Sequence, residues 1–368
     1  MRPFHSRNIG LSGSRQKVDI IGGAKVAGRL GKVGIGAMGT ALDNSGNLNA
    51  DQVGVARLTY DVLEESRVGT FFSFGDARGN NENWVGGVDL DLRTTNWNNS
   101  GNEMRLSLYE LMSIDEEVPG HAFGGKISYP NKPLYVQGTF RQIDQDFRPG
   151  LGFVRRPGTR FASGNIDYEW LTTDSEVFRS VSLGTEPSIY TTLDNDIETI
   201  DWKVAEIEIE LESGDDIEIG ATWQREDLFA PFNIFKDLYI PAGSYVFPEL
   251  SVTVDTSSHR PVSAEIEASF GEYWNGHRWQ TEGELEWRQS KFFGVEVGGE
   301  FNHVTLPNGE FDVLIGFAGF RVTPNPKFSW NALAQWDNVS NEVGINSRIR
   351  YIVAPGKDIF FVINQGYL

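Results

Sequence analysis

The chain has 368 residues, no cysteine and a formal net charge of −19 at pH 7. Without cysteine it has neither a disulfide framework nor a thiolate metal site. The acidic excess argues against a nucleic-acid partner, because phosphate binding needs a basic surface. Hydrophobic residues make up 39% of the chain, which is low for a large globular core but typical of strands with one apolar and one wet face. The chain has no apolar run long enough to predict a transmembrane helix.

Alternating segments of about ten to thirteen residues follow one another along the chain and are separated by turn residues. The predicted strands are residues 18–30, 32–42, 52–63, 66–76, 83–94, 103–114, 120–129, 133–144, 161–171, 177–190, 202–212, 215–225, 245–256, 261–271, 277–289, 292–303, 311–322, 327–338, 342–353 and 358–366. Connections such as Ser213-Gly214-Asp215 and Pro307-Asn308-Gly309 are typical of hairpins, since Gly and Asn tolerate a positive φ. Sequential hairpins predict an antiparallel meander.

Residues 279–287, WQTEGELEW, pose the question of which solvent each face of a strand contacts. The odd positions are apolar or small, and the even positions are charged or amidic. A soluble sandwich would place the odd face in its core, whereas a membrane barrel would place it in lipid. The predicted strands are longer than the five or six residues usual in sandwiches, and they meet the nine to eleven that a tilted membrane strand needs.

Aromatic residues recur eight positions apart on the apolar faces of three predicted strands. These membrane-girdle candidates are Trp279 and Trp287, Phe293 and Phe301, and Phe328 and Trp336. Eight residues span roughly 26 Å along a strand, and a tilt of about 40° reduces this to roughly 20 Å, near the height of a barrel's apolar band. The alternative is that these are simply aromatic core residues of a soluble sheet.

The opposite faces are rich in carboxylates. Glu206, Glu208 and Glu210 alternate with apolar residues in one strand, and a water-filled lumen would accommodate them. The sequence therefore predicts an all-β fold, a closed antiparallel transmembrane β-barrel of about 18–20 strands, with long loops or lumen-filling segments.

Two stretches, residues 145–160 and 226–250, interrupt the alternation and are predicted to be extracellular loops or segments inside the lumen. The first carries Arg148, Arg155, Arg156 and Arg160. These arginines are expected to pair with lumen glutamates and hold the segment in place, or alternatively to bind an anionic ligand. The second is aromatic, and Phe232, Phe235 and Tyr239 are its ligand-contact candidates.

No motif for catalysis, metal binding or a cofactor is found. Gly34, Gly36 and Gly39 form a literal GxGxxG, but no helical pattern follows it, as a dinucleotide site requires. The five histidines form no metal-binding pair, and no nucleophile elbow is present. We therefore predict no catalytic residue, no metal and no cofactor; a pair of carboxylates of the glycosidase type is the one catalytic route left open.

Several motifs resemble a large uncharacterised family of bacterial proteins. They are PFHSRNIG at 3–10, IIGGAKVAGRLGKVGIG at 20–36, FRPGLGFVRRPG at 147–158, PFNIFKDLYIPAGSYVF at 231–247 and WDNVSNEVGINSRIRYIVAPGKDIFFVIN at 336–364. In that family a C-terminal β-barrel of unknown function follows a family-9-like carbohydrate-binding module. The resemblance implies an outer-membrane location and a link to carbohydrate, but no catalytic residues. The family's signal peptide and sugar-binding module are missing here, so the chain looks truncated.

The sequence thus predicts one domain over residues 1–368, in the outer membrane of a Gram-negative bacterium. Its expected partners are outer-membrane lipid and, as a candidate, carbohydrate. The predicted function is non-catalytic: surface binding or transport of a glycan or another small polar ligand. Two alternatives remain: a soluble all-β glycan-binding protein, and a barrel-borne carbohydrate hydrolase that uses lumen carboxylates.

Overall fold

The computed structural model describes residues 2–13, 16–44, 51–78 and 82–367. Within these ranges it contains twenty-two β-strands and one short 3-10 helix, Ser6–Asn8. The strands are β1 (Ile20–Leu30), β2 (Val33–Leu42), β3 (Asp51–Val62), β4 (Ser66–Phe74), β5 (Asn83–Trp97), β6 (Asn102–Asp115), β7 (Val118–Pro130), β8 (Leu134–Ile143), β9 (Thr159–Leu171), β10 (Phe178–Thr192), β11 (Ile197–Leu211), β12 (Asp216–Leu228), β13 (Phe232–Phe235), β14 (Leu238–Ile240), β15 (Gly243–Asp255), β16 (Val262–Tyr273), β17 (Gly276–Ser290), β18 (Phe293–Leu306), β19 (Gly309–Asn325), β20 (Phe328–Asp337), β21 (Val343–Ala354) and β22 (Lys357–Tyr367).

The predicted all-β, antiparallel fold class is confirmed. Each of the twenty predicted strands has an observed counterpart, and the ends agree within a few residues, the largest difference being the start of β11 at Ile197. Only the short strands β13 and β14 were not predicted. Among the described residues, no helix is long and apolar enough to cross a membrane. Gly34, Gly36 and Gly39 lie within strand β2, as expected for a GxGxxG that does not open a helix.

The chain divides into two compact units, one of residues 1–166 with 188–199 and the other of residues 167–187 with 200–368. In the first unit, strands β1 to β8 pair antiparallel, each with the next along the chain. In the second, β12 pairs with β15, and β15 to β22 again pair in sequence order. Both units are therefore built from sequential antiparallel strands, which tight turns can connect.

In the second unit, the pairing register keeps apolar side chains together on one face. Leu285 of β17 lies opposite Val297 of β18, which lies opposite Ala318 of β19, and Ala318 lies opposite Ala334 of β20. Leu285 and Val297 are each 43% exposed. Successive side chains of a strand point to opposite faces, so the intervening residues, including Glu284, occupy the other face.

In the first unit, an apolar face is built in the same way. Leu90, Leu108, Gly125 and Phe140 occupy one continuous row from β5 to β8. Leu108 and Phe140 are exposed, as are many apolar side chains in the neighbouring rows. Glu110 is an exception, since the register places this exposed carboxylate opposite Val88 and Phe123 on the same face.

The second irregular stretch is shorter than predicted. Strands β12 and β15 pair up to Leu228 and Gly243, so much of residues 226–250 is regular sheet. The irregular part is residues 229–242, and it contains the β13–β14 hairpin. The Pro and aromatic residues that interrupt the alternation in the sequence are partly accommodated within strands, because pairing with β12 fixes their backbone.

Two turns of the second unit are joined by an ion pair. The Asp215 carboxylate accepts hydrogen bonds from Arg260, at 2.8 Å from Nη2, from the Ser257 amide at 2.9 Å and from the Ser213 hydroxyl at 2.7 Å. Gly214 before it has a φ of 76°, as predicted for this hairpin. The Arg260 guanidinium, followed by the Ser257 amide and Ser213 hydroxyl, holds the pKa of Asp215 well below its usual range.

We expect Asp215→Asn to destabilise the protein in a pH-dependent way. Because the pKa of Asp215 is lowered in the folded state, its contribution is fully present above the unfolded-state pKa of about 3.9 and is lost as the pH falls towards the folded-state pKa. The difference in urea midpoint between the wild type and Asp215→Asn should be constant above about pH 5 and should shrink below pH 4. A difference that grows as the pH falls would contradict this account.

Candidate functional site

The connection between β8 and β9, residues 144–158, packs against the polar face of the first unit. Phe147 is only 1% exposed and lies in a cluster with Phe71, Val85, Leu111 and other apolar residues of that face. Leu151, also 1% exposed, lies in a second cluster with residues of β2, β3 and the N-terminal segment. The segment is therefore anchored by apolar contacts on a face that elsewhere carries charges.

Partly buried hydrogen bonds fix the backbone of this segment. The Asn83 side-chain amide donates to the Arg148 carbonyl at 2.7 Å, and its carbonyl oxygen accepts from the Gly150 amide at 2.8 Å. The Ser113 hydroxyl accepts from the Arg148 amide at 3.0 Å. At Gly120 of β7, a Cβ atom would lie 2.3 Å from the Phe147 nitrogen, so the segment approaches the sheet at a point where only glycine leaves room.

The N-terminal residues continue this packed layer. Arg2 and Phe153 exchange two backbone hydrogen bonds, of 2.9 and 2.7 Å, and the His5 amide donates to the Leu151 carbonyl at 2.7 Å. The Asn8 side chain, which is buried, donates to the Gly152 carbonyl at 2.8 Å. Two segments far apart in sequence thus cover the same part of the polar face of the first unit.

The four predicted arginines do not act alike. Arg148 lies 3.7 Å from Asp115, whereas Arg155 is exposed. The Arg156 guanidinium lies 4.6 Å from the centre of the Tyr190 ring and donates to the Thr199 hydroxyl at 2.9 Å. Arg160 lies in β9, beyond the segment, and donates to Gln142 at 2.9 Å. Arg156 therefore contacts an aromatic ring and a hydroxyl rather than the glutamates expected for it, and the apolar anchors hold the segment.

Charges of both signs occupy the rest of this polar face. Arg57 pairs with Asp89 at 2.7 Å. Arg105 makes two hydrogen bonds to Asp91, of 2.8 and 2.6 Å. Such bidentate pairs hold both side chains in a defined geometry.

In the second unit, the polar face is strongly acidic. Glu267, Glu282 and Glu300 lie in one row across β16, β17 and β18. Two further rungs pair Glu265 with Glu284, and Glu286 with Glu296. Some carboxylates have cationic partners, for example Glu249 with Arg278 at 2.8 Å. Like charges directly opposite each other destabilise a dry sheet, so this arrangement favours contact with water.

The three glutamates predicted to line the lumen lie in β11. Glu210 pairs with Arg179 at 2.6 Å and accepts from the Ser180 hydroxyl at 3.1 Å. Glu206 pairs with Lys203, three residues earlier in the same strand. Glu208 accepts from the Ser182 hydroxyl at 3.4 Å. Glu206 also contacts the Glu218 carboxyl group of β12. The role of these three glutamates in a lumen stays a prediction.

Two of the three ligand-contact residues predicted in the aromatic segment 229–242 pack against other aromatic residues of the second unit. Phe232 contacts Trp274 at a ring-centre distance of 4.9 Å, and Phe235 stacks on Phe311 at 4.4 Å. The cluster is centred on the fully buried Ile240 and on Val304, a residue of the polar face of β18. Tyr239 is 54% exposed and is the most accessible of the three candidates for contact with a ligand.

The six predicted girdle aromatics all lie on the apolar face of the second unit, by the register of β17 to β20. Trp279 contacts Phe301 at 4.9 Å near one end of the strands, and Trp287 meets Phe293 edge to face at 6.3 Å near the other. Phe328 and Trp336 flank Trp330 and two alanines on β20. Aromatic residues thus mark both ends of this face, with aliphatic and small residues between them.

Sequence reasoning did not identify the residues that hold the segments in place. Asn83, Ser113 and Gly120 lie in ordinary strand positions, and no local signal distinguishes them. Among the described residues, no three His, Asp or Glu side chains are grouped to hold a metal.

Comparisons with known proteins add little. No protein-family model and no curated protein matches the chain, so the resemblance to the family with a carbohydrate-binding module stays a prediction. Among solved structures, the chain is similar to the crystal structure of the outer membrane protein opdK from Pseudomonas aeruginosa. The identity is 9%, the TM-score is 0.45, and the match covers 80% of this chain and 90% of that one. A similarity at this level identifies neither a family nor a function.

Phe147→Ala should loosen residues 144–158. Removing a fully buried Phe costs about 3–5 kcal/mol, and here the loss is expected to detach the segment rather than unfold the sheet. The control is Phe153→Ala in the same segment, because Phe153 is 45% exposed. The rate of trypsin cleavage after Arg155 measures the loosening of the segment. Arg148 and Arg156 are not cleaved, because both precede prolines. Faster cleavage in the Phe147 variant alone is expected, and equal rates in the two variants would contradict the anchoring role.

Proposed function

We propose that the chain forms an outer-membrane β-barrel that serves as a passage for small polar solutes. Its two units would contribute their apolar faces to the lipid surface and their polar faces to a water-filled lumen. The segments 144–158 and 229–242, with the N-terminal residues, would narrow that lumen. The function needs no catalytic residue, cofactor or metal.

The observation that carries this proposal is the exposed apolar face in each unit. Monomeric soluble proteins rarely expose contiguous apolar patches larger than a few hundred Å². Here apolar side chains from strand after strand are exposed in both units, and aromatic residues border the face formed by β17 to β20. Strands β15 to β22 are each between ten and seventeen residues long. This length is enough for a tilted strand to cross the hydrocarbon layer.

The polar faces support passage of a hydrated solute rather than a sealed core. Rows of glutamates in the second unit and paired charges in the first would be costly in a dry interior. Apolar burial is concentrated where the segments pack, around Phe147, Leu151 and Ile240. The exposure of the apolar faces disfavours a soluble glycan-binding protein, which would bury those faces in its core.

The decisive experiment is reconstitution. The chain is refolded in detergent, run on a gel with and without boiling, and inserted into planar bilayers. A heat-modifiable band and discrete conductance steps are expected. A protein that folds in water without detergent, and gives no conductance, would overturn the proposal.

A glycan is one solute that the family resemblance implies. Adding a short oligosaccharide to the conducting protein tests this separately, because a sugar that enters the lumen transiently reduces the current. Conductance without such interruptions would leave the passage in place and exclude the tested sugar.

Leu285→Arg and Val297→Arg should each reduce the stability of the protein in a bilayer by about 2–4 kcal/mol, because both would place a cation on the lipid face near the midplane. Folding into vesicles, followed by urea titration of the heat-modifiable band, measures the change.

Glu284→Arg is the matched control. It introduces the same side chain one residue from Leu285, but on the polar face beside Glu265, where a cation relieves repulsion. This variant should be tolerated. Equal losses in all three variants would show that the faces are assigned wrongly.

A further inference from the structure

A cavity of about 480 Å³ lies on the polar face of the first unit, beside the N-terminal segment. This volume is within the range usual for small-molecule sites. Pro3 of the N-terminal segment lines one side, and strands β3 to β8 provide the rest. The cavity lies wholly within one unit, and none of the residues discussed above as ligand-contact candidates belongs to it.

The charged groups that line the cavity leave an excess of positive charge. Asp89 is neutralised by Arg57 at 2.7 Å. Arg141 donates to the Tyr190 hydroxyl at 3.2 Å and lies 4.9 Å from the centre of the Phe161 ring, so its partners are neutral. Lys126 is exposed, and within the described part of the chain no carboxylate lies within 4 Å of its ammonium group.

The other lining groups combine hydroxyls with an apolar floor. Lys126 is directly opposite Ser107 on β6 and Thr139 on β8. Phe71 and Leu111, which are both buried, form the apolar side. The Tyr109 hydroxyl lies 2.8 Å from the position that a Cβ atom of Gly124 would take. The missing side chain at Gly124 therefore lets Tyr109 extend across β7 towards the strand that carries Arg141.

From this arrangement we infer that the cavity binds a small organic carboxylate with an apolar body. The carboxylate lies between Lys126 and Arg141, where charge-assisted hydrogen bonds are available, and the apolar body contacts Phe71, Leu111 and the Tyr109 ring. A cationic ligand would face two uncompensated positive charges. That such a molecule is a solute in transit rests on the function proposed above, whereas its binding can be measured on the protein in detergent.

The test is calorimetric titration of the refolded full chain with four probes: benzoate, hexanoate, acetate and benzamide. Benzoate and hexanoate carry both a carboxylate and an apolar body. Acetate lacks the body and benzamide lacks the charge. Saturable binding of the first two is expected, with each of the other two at least tenfold weaker.

Three variants locate the site. Lys126→Gln removes a charge that makes no ion pair in the described structure, so the fold should be retained and benzoate affinity should fall about tenfold, the size of one charge-assisted hydrogen bond. Lys126→Arg should keep most of the affinity. Lys25→Gln is the control, because Lys25 is an exposed lysine of β1 in the same unit and does not line the cavity.

Arg141→Gln should also lower the affinity for benzoate. The heat-modifiable band of this variant shows whether its fold is retained. Two results would overturn the inference: benzamide binding as tightly as benzoate, or Lys25→Gln losing as much affinity as Lys126→Gln. Absence of benzoate binding in a conducting protein would refute the carboxylate site alone, while binding without conductance would refute only the passage.

Discussion

The structure depends on the preservation of side-chain parity from strand to strand. A slip of one residue in an antiparallel pair would move every side chain of that strand to the opposite face. In the described pairs of β1 to β8, of β12 with β15, and of β15 to β22, the register runs without interruption through the middle of the strands. The irregularities lie near the strand ends, as at Arg288 and Ser290, Thr94 and Trp97, or Ile352 and Ala354. The apolar and polar faces therefore stay separate across many strands, although no single strand could enforce this alone.

Stable packing beyond the hydrogen-bonded strands arises where irregular segments meet the polar face. The buried apolar clusters contain Phe147 and Leu151 in the first unit and Ile240 in the second. These clusters contain nearly all of the buried apolar side chains among the described residues. They also leave uncovered parts of the polar faces, and the cavity beside Lys126 is one such place. Segment packing and ligand access are thus set by the same contacts.

The strands could be predicted from the sequence because period-two alternation and turn residues are local signals. The eight-residue spacing of Trp279 and Trp287 likewise placed both on one face. The partners of Arg156 could not be predicted, since Tyr190 and Thr199 come near it only through the folding of the chain. Nor could the cavity, because Lys126, Arg141 and Tyr109 lie on three strands and become neighbours only through their register. The β13–β14 hairpin was missed because its strands are too short to show alternation.

The central claim is that the apolar and polar faces of the strands contact different solvents. Spin labelling tests this claim most directly. The chain has no native cysteine, so single cysteines at Leu285 and Glu284 of β17, and at Leu108 and Ser107 of β6, can be labelled in the protein reconstituted in vesicles. Labels at Leu285 and Leu108 should collide mainly with oxygen, which concentrates in lipid, and labels at Glu284 and Ser107 with a water-soluble nickel reagent. Equal access of the nickel reagent to all four positions, or a reversed pattern, would contradict the account.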